Sequence, residues 1–146
     1  MSWKDLEESN PALAQFGAER FSTEIAYLAT IRKDGSPRVH PVTPIVGEGR
    51  LFLFMEATSP KGYDLRRSKR FALHCAVSDT AGGSGEFLVT GEGFPIDDPE
   101  TRALACRLAT YDPADRYVLF ELKIDSAAAT TYEDGQPRRV FWKRKE

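Results

Sequence analysis

The chain has 146 residues, of which 41% are hydrophobic and 29% charged, with a formal charge of −2. This length suits one domain with a proper hydrophobic core, and the composition excludes disordered and collagen-like classes. A balance this close to neutral excludes a global field that draws nucleic acid or an anionic membrane, so any anionic ligand needs a local basic cluster.

Asn10-Pro11 opens a predicted helix, with Asn10 as N-cap and Pro11 at the first helical position, running to about Phe21. Ile25 to Arg32 reads as a strand with Ile25, Tyr27, Ala29 and Ile31 on one face. Lys33-Asp34-Gly35-Ser36 is a hairpin signal, and Asp-Gly suits the positive φ angles of a type I′ turn. The returning strand, Pro37 to Val46, carries prolines at 37, 41 and 44, so it belongs at an edge or a bulge. Gly47-Glu48-Gly49 then turns the chain into Arg50 to Met55, a strand apolar on both faces and therefore buried between layers.

Ser59 as N-cap and Pro60 at the first position start a short helix that runs to about Ser68. Arg70 to Val77 is the next strand, and Ser78 to Gly85 an exposed loop. Glu86 to Ile96 is a strand in which Gly91 and Gly93 predict a bulge or a close backbone approach. Asp97-Asp98 before Pro99 marks another helix, continuing to about Ala109. Three strands end the chain: Tyr117 to Ile124, Ala127 to Tyr132 and Arg138 to Lys143, the last two joined by Asp134-Gly135. Many hairpin-linked strands with few helices predict a mainly β fold, an antiparallel Greek-key barrel with peripheral helices in one domain spanning 1–146.

The two cysteines, Cys75 and Cys106, sit in largely apolar runs, which is no disulfide framework and fits a reducing compartment. Cys106, on a helix with apolar neighbours, reads as packed. The N-terminus is charged and amphipathic, without a signal-peptide stretch, and nothing approaches the roughly 20 apolar residues of a membrane span. A soluble cytoplasmic protein, with no nucleic-acid or membrane partner, is the expectation.

Two stretches carry candidate chemistry. Ser59-Pro60-Lys61 combines a helix N-terminus, a hydroxyl and a full positive charge, which together suit a phosphate. In Arg38-Val39-His40-Pro41-Val42-Thr43 the prolines leave backbone groups free for a planar ligand with polar edges, and Arg38 and His40 share one face. Read alone, each has a plainer explanation: an ordinary helix start with a solvated basic face, and a surface arginine beside a satisfied histidine. His74 and Cys75 point to opposite sides of a strand and make a poor metal pair, and no P-loop, nucleophile elbow or paired-histidine zinc motif occurs. Trp3 and Trp142 could cover a cofactor, although packing is the commoner use.

Together the stretches resemble a known family. The run from Leu28 to Val42 is similar to the opening hairpin of pyridoxamine 5′-phosphate oxidase-like flavoproteins, and Ser59-Pro60-Lys61-Gly62-Tyr63-Asp64-Leu65-Arg66-Arg67 follows at the expected distance. Glu86 to Gly91 resembles the family's later strand that pairs across the dimer. The resemblance covers roughly residues 20 to 125 and implies a six-stranded split barrel, a homodimer, and FMN in clefts between the subunits. It implies that Arg38, Val39, His40, Pro41, Val42 and Thr43 line the flavin, with Arg38 helping to hold its phosphate. Phe54 and Met55 would lie beside the ring or ribityl chain, Ser59 and Lys61 would grip the phosphate, and Glu86 would reach in from the second subunit.

Two departures bear on activity. Pro60 replaces a basic residue of the oxidase proper, and the tail after Phe141 lacks that enzyme's arginine-containing segment, which argues against pyridoxamine phosphate as substrate. The implied activity is that of a flavin-dependent oxidoreductase whose cofactor does the chemistry, so no side chain is nominated as catalytic. The alternatives are a deazaflavin-dependent reductase and a non-enzymatic flavin-binding or stress protein; nothing in the sequence demands iron or another metal. FMN is favoured over a deazaflavin because Lys61, Ser59, Arg38 and a helix N-terminus suffice for one phosphate. A polyglutamate tail asks for a continuous basic groove, and Arg66, Arg67, Lys69 and Arg70 do not form one stripe.

Overall fold

Asn10 separates two N-terminal helices, α1 (Trp3–Ser9) and α2 (Pro11–Thr23). The computed structural model describes residues 2–23, 25–80 and 83–145. The start of α2 is as the sequence predicts: the Asn10 side chain accepts from the Leu13 N–H at 3.1 Å. α1 was not foreseen; its amphipathic character places Trp3 and Leu6 in the core, where Trp3 packs beside Phe21 and Phe87. Trp3 is thus a packing residue, and Trp142 leans on the same core.

Among the described residues eight strands follow: β1 (Ala26–Ile31), β2 (Pro37–Val42), β3 (Ile45–Gly47), β4 (Arg50–Met55), β5 (Arg70–Cys75), β6 (Glu86–Ile96), β7 (Val118–Glu133) and β8 (Gln136–Lys143). Helix α3 (Pro60–Ser68) connects β4 to β5, and α4 (Pro99–Leu108) connects β6 to β7. The hydrogen-bonded order is β2-β1-β5-β6-β7-β4-β3, with β8 added to β7, and every pairing is antiparallel. The two ends of that path, β2 and β3, are neighbours in the chain, joined by Thr43-Pro44. The sheet therefore curls back on itself without closing, which is a split barrel with helices at its periphery.

Proline chemistry explains the split. The predicted strand Pro37 to Val46 breaks in two at Thr43 and the buried Pro44, because proline cannot donate to a ladder. Both halves lie at sheet edges, as expected. In the opposite sense, the predicted strands 117–124 and 127–132 merge into the single long β7. Asp125 is absorbed as a bulge opposite Thr90 and Gly91, since Thr90 pairs with Ser126 and Gly91 with Ile124. The first part of β7 pairs with β4 and the last part with β8, so one strand serves both ends of the barrel.

Three further expectations are corrected. The Asp34-Gly35 turn is not type I′: only Gly35 has a positive φ (89°), and the Asp34 carboxylate accepts from the Ser36 N–H and hydroxyl. The Gly35 N–H closes the turn on the Arg32 carbonyl at 2.9 Å, leaving Gly35 as the left-handed bulge residue. The Asp134-Gly135 turn does carry two positive φ angles, 51° and 75°, as a two-residue hairpin requires. Cys106 is exposed on α4, not packed. β5 ends at Cys75 rather than Val77.

The core is lined by alternate residues of each strand, among them Leu28, Leu53, Leu73, Phe87, Val89 and Leu122. α4 covers a second, smaller cluster of Ile45, Phe52, Phe54 and Leu119, and Asp98 caps this helix as predicted by accepting from the Thr101 N–H at 3.0 Å. Among the described residues no helix covers the outer face of β2-β1-β5-β6-β7-β8. Cross-strand register runs Val39-Ala29-Ala72-Thr90-Ser126-Lys143 and Pro41-Tyr27-His74-Leu88-Ala128-Phe141 along it. Val39 is 61% exposed and Phe141 68%, with Ile25, Tyr27 and Ile31 exposed beside them. Ile25, Tyr27, Ala29 and Ile31 thus share a face, and it is the one turned away from the core.

Candidate functional site

Helix α3 is tied to β2 through Asp64 and Arg38, and the charge of Lys61 in its first turn is felt at His40 on β2. Ser59 is buried and its hydroxyl does not cap the helix; it accepts from the Lys61 ammonium at 2.8 Å instead. Among the described residues no carboxylate pairs with Lys61. Burial pulls its pKa below the usual lysine value. An ammonium that is partly desolvated, unpaired and at the positive end of a helix dipole is a site for an anion.

His40 lies within the same field. Burial lowers its pKa first, and the positive charges of Lys61 and Arg38 lower it further against the opposing charge of Asp64. Burial and the neighbouring positive charges thus oppose protonation of the imidazole.

Arg38 is not free in the way the sequence suggests. Its Nε donates to Asp64 at 2.7 Å, and Asp64, 3% exposed, also accepts from Thr30 Oγ1 at 2.8 Å and from Arg67 at 3.0 Å. Burial alone raises the Asp64 carboxyl, but the hydrogen bonds from Arg38, Thr30 and Arg67 outweigh it and hold it below its usual value. Asp64, Thr30 and Arg67 were missed in the sequence. The available signal was a single acid in the basic run from Lys61 to Arg70, spaced three residues from both Lys61 and Arg67 on a helix.

The other predicted residues divide. Val39 and Pro41 face outward, Val42 joins the core, and Thr43 stands at the kink beside a cavity of about 280 Å³ that Pro44, Ile45, Phe21 and Leu108 also line. Met55 packs under α3, where a side chain at Gly62 would come within 3.1 Å of its sulfur. Phe54 points the opposite way, beneath α4, with the Arg102 guanidinium 5.2 Å from its ring centre. Adjacent strand residues alternate faces, so Phe54 and Met55 cannot share one ligand surface. Glu86 lies three strands from β2, accepting from the Tyr132 hydroxyl at 2.9 Å and standing 3.9 Å from His74. Within one chain it does not join Arg38, His40, Ser59 and Lys61. The close approach at Gly91 is internal, since a Cβ there would overlap the Lys123 carbonyl oxygen of β7.

Arg66 and Lys69, unlike Arg67, are engaged elsewhere. Arg66 stacks on Phe120 at 5.2 Å, and Lys69 and Lys123 both sit over Phe94, at 4.9 Å and 5.4 Å. Among the described residues no cluster of three or more His, Cys, Asp or Glu could hold a metal ion, and no helix is long and apolar enough to cross a membrane.

No protein-family model and no curated protein sequence matches the chain. Solved structures do. A candidate pyridoxamine 5′-phosphate oxidase from Lactobacillus delbrueckii aligns with a TM-score of 0.61 at 18% identity, over 76% of this chain and 88% of that one. PhzG from Burkholderia lata, solved with tetrahydrophenazine-1-carboxylic acid, aligns with a TM-score of 0.67 at 16% identity, over 96% and 86% of the two chains. A heme-binding protein from Mycobacterium smegmatis aligns with a TM-score of 0.65 at 18% identity over 86% of this chain, which spans only 57% of that protein.

Proposed function

We propose that this chain, which has the split-barrel fold of the pyridoxamine 5′-phosphate oxidase-like proteins, is a homodimeric FMN-binding protein acting as a flavin-dependent oxidoreductase. The observation that carries the reading is the partly buried Lys61 at the start of α3, held by Ser59 and without a carboxylate partner among the described residues. The residues fit a phosphomonoester. Lys61 and Ser59 would hold the phosphate together with Arg38, and Met55 would form an apolar floor beneath the first turn of α3.

When bound, FMN supplies two-electron redox chemistry. The residues of this chain bind and orient it, and His40 in its neutral form offers a ring nitrogen that can exchange a proton. A single phosphate is matched by the charges at hand. The long anionic tail of a deazaflavin is not, because Arg66, Lys69 and Lys123 are stacked on aromatic rings rather than aligned in an open groove.

The homodimer is inferred from the outer sheet face. Its exposed Tyr27, Ile31, Val39 and Phe141 surround small residues at Ala29, Ala72 and Ala128, a surface suited to flat self-association above roughly 2,000 Å² in total. A second copy is also the only source from which a Glu86 could complete the cleft.

The deciding experiment is the absorption spectrum of the protein purified and then reconstituted with FMN. Two bands in the blue and near-ultraviolet with quenched flavin fluorescence support the reading. A Soret band after incubation with heme, with no uptake of FMN, replaces it with heme binding.

A further inference from the structure

Two arginine–carboxylate pairs in this protein use their donors differently. Arg50 grips Glu121 with two nitrogens, Nε at 3.1 Å and a terminal nitrogen at 2.6 Å, one to each carboxylate oxygen. Arg38 reaches Asp64 with Nε alone. The difference lies in how Asp64 is filled: Oδ1 accepts from Arg67, and Oδ2 accepts from Thr30 as well as Arg38. Arg67 also donates to the Ile31 carbonyl at 2.8 Å, which ties the cluster to β1. Oδ1 is turned to Arg67 rather than to Arg38, and among the described residues neither terminal nitrogen of Arg38 donates a hydrogen bond.

We propose that Asp64 is a positioning residue for the anion site, holding Arg38 through Nε so that both terminal nitrogens stay available to the FMN phosphate. This rests on the FMN reading above. A guanidinium presents its fork to an oxyanion best when its rotamers are already set, since ordering a long side chain on binding opposes affinity. Asp64 sets them from a buried position, and it reaches across from α3, the same helix whose first turn carries Lys61. The arrangement also explains why an acid stands in a basic run: its charge lets Arg38 be partly buried without desolvation driving it outward.

Equilibrium binding of FMN and of riboflavin, which lacks the phosphate, tests this in five proteins: wild type, Asp64→Asn, Arg38→Lys, Arg38→Gln and the double variant Asp64→Asn/Arg38→Gln. Asp64→Asn should weaken FMN roughly 10- to 100-fold, as loss of an orienting outer partner typically does, and leave riboflavin unchanged. Arg38→Lys should lose as much although it keeps the charge, because lysine has no Nε and no fork. In the Arg38→Gln background the Asp64 substitution should have no further effect. Wild-type FMN affinity in Asp64→Asn overturns the proposal, as does an equal loss for riboflavin or an undiminished effect in the double variant.

A second measurement needs no flavin. In ¹H–¹⁵N spectra of the apo-protein the Arg38 Nε–H should be a protected signal in wild type, absent in Asp64→Asn, and shifted by inorganic phosphate only in wild type. If wild type takes up no FMN, the functional reading fails while these spectra still decide the positioning role; an unprotected signal or one that phosphate leaves unmoved rejects it.

Discussion

The Lys61 ammonium donates to the Ser59 hydroxyl at 2.8 Å across the first turn of α3 and has no carboxylate partner among the described residues. A buried hydroxyl that would ordinarily cap its own helix thus steadies a cation at the helix's positive end. Replacing Lys61 by alanine should weaken FMN binding by about 1.5–3 kcal/mol, the range for a charge-assisted hydrogen bond. Titration of flavin fluorescence reads it, and an unchanged Kd removes Lys61 from the site.

The two histidines offer a pH test. His40 is held below its usual pKa by burial and the charges of Lys61 and Arg38, whereas hydrogen bonding to Cys75 raises His74 against its burial. Proton NMR should therefore show one imidazole titrating below 6.5 and the other above it. A bound phosphate adds negative charge beside His40, so FMN should move the lower titration upward and leave the upper one in place. Failure of the lower one to move separates His40 from the ligand.

Acid stability should report Asp64. Its folded pKa lies below the usual 3.8, so its contribution is present above that pH and lost as pH falls through the folded value. Urea unfolding followed between about pH 5 and pH 2 should fall more steeply in wild type than in Asp64→Asn. Parallel curves would mean that the carboxylate's pairing adds nothing to folding.

Placing a charge on the outer sheet face should prevent association without touching the anion site. Ala72→Glu inserts a carboxylate in the small-residue row between Ala29 and Thr90. Sedimentation at low micromolar concentration should show dimers for wild type and monomers for the variant, with FMN affinity falling as well if the cleft is shared. A wild-type monomer contradicts both the dimer and the shared cleft.

Gly91 tests the barrel itself. An alanine Cβ would overlap the Lys123 carbonyl oxygen, a backbone atom that cannot step aside without distorting the β6–β7 ladder. Gly91→Ala should cost about 3 kcal/mol or more in denaturant unfolding. A loss under about 1 kcal/mol would show that the bulge at Asp125 absorbs the strain.

Much was decided locally and is legible in the chain. Asn10-Pro11, Ser59-Pro60 and Asp98-Pro99 start helices because proline presets φ at a position that needs no N–H donor. Prolines 37, 41 and 44 put β2 and β3 at edges for the complementary reason. Those same rules put Ser59 and Lys61 at the start of α3. What the chain could not disclose depended on distant partners. Whether Asp125 ended a strand or bulged within one was set by its pairing opposite Thr90 and Gly91. The opposite orientations of Phe54 and Met55 were available from strand alternation, but which face held the core was decided by α4 and α3 packing on either side. The state of Arg38 depended on a carboxylate 26 residues away on another element, because electrostatics acts through space and periodicity records only neighbours along the chain.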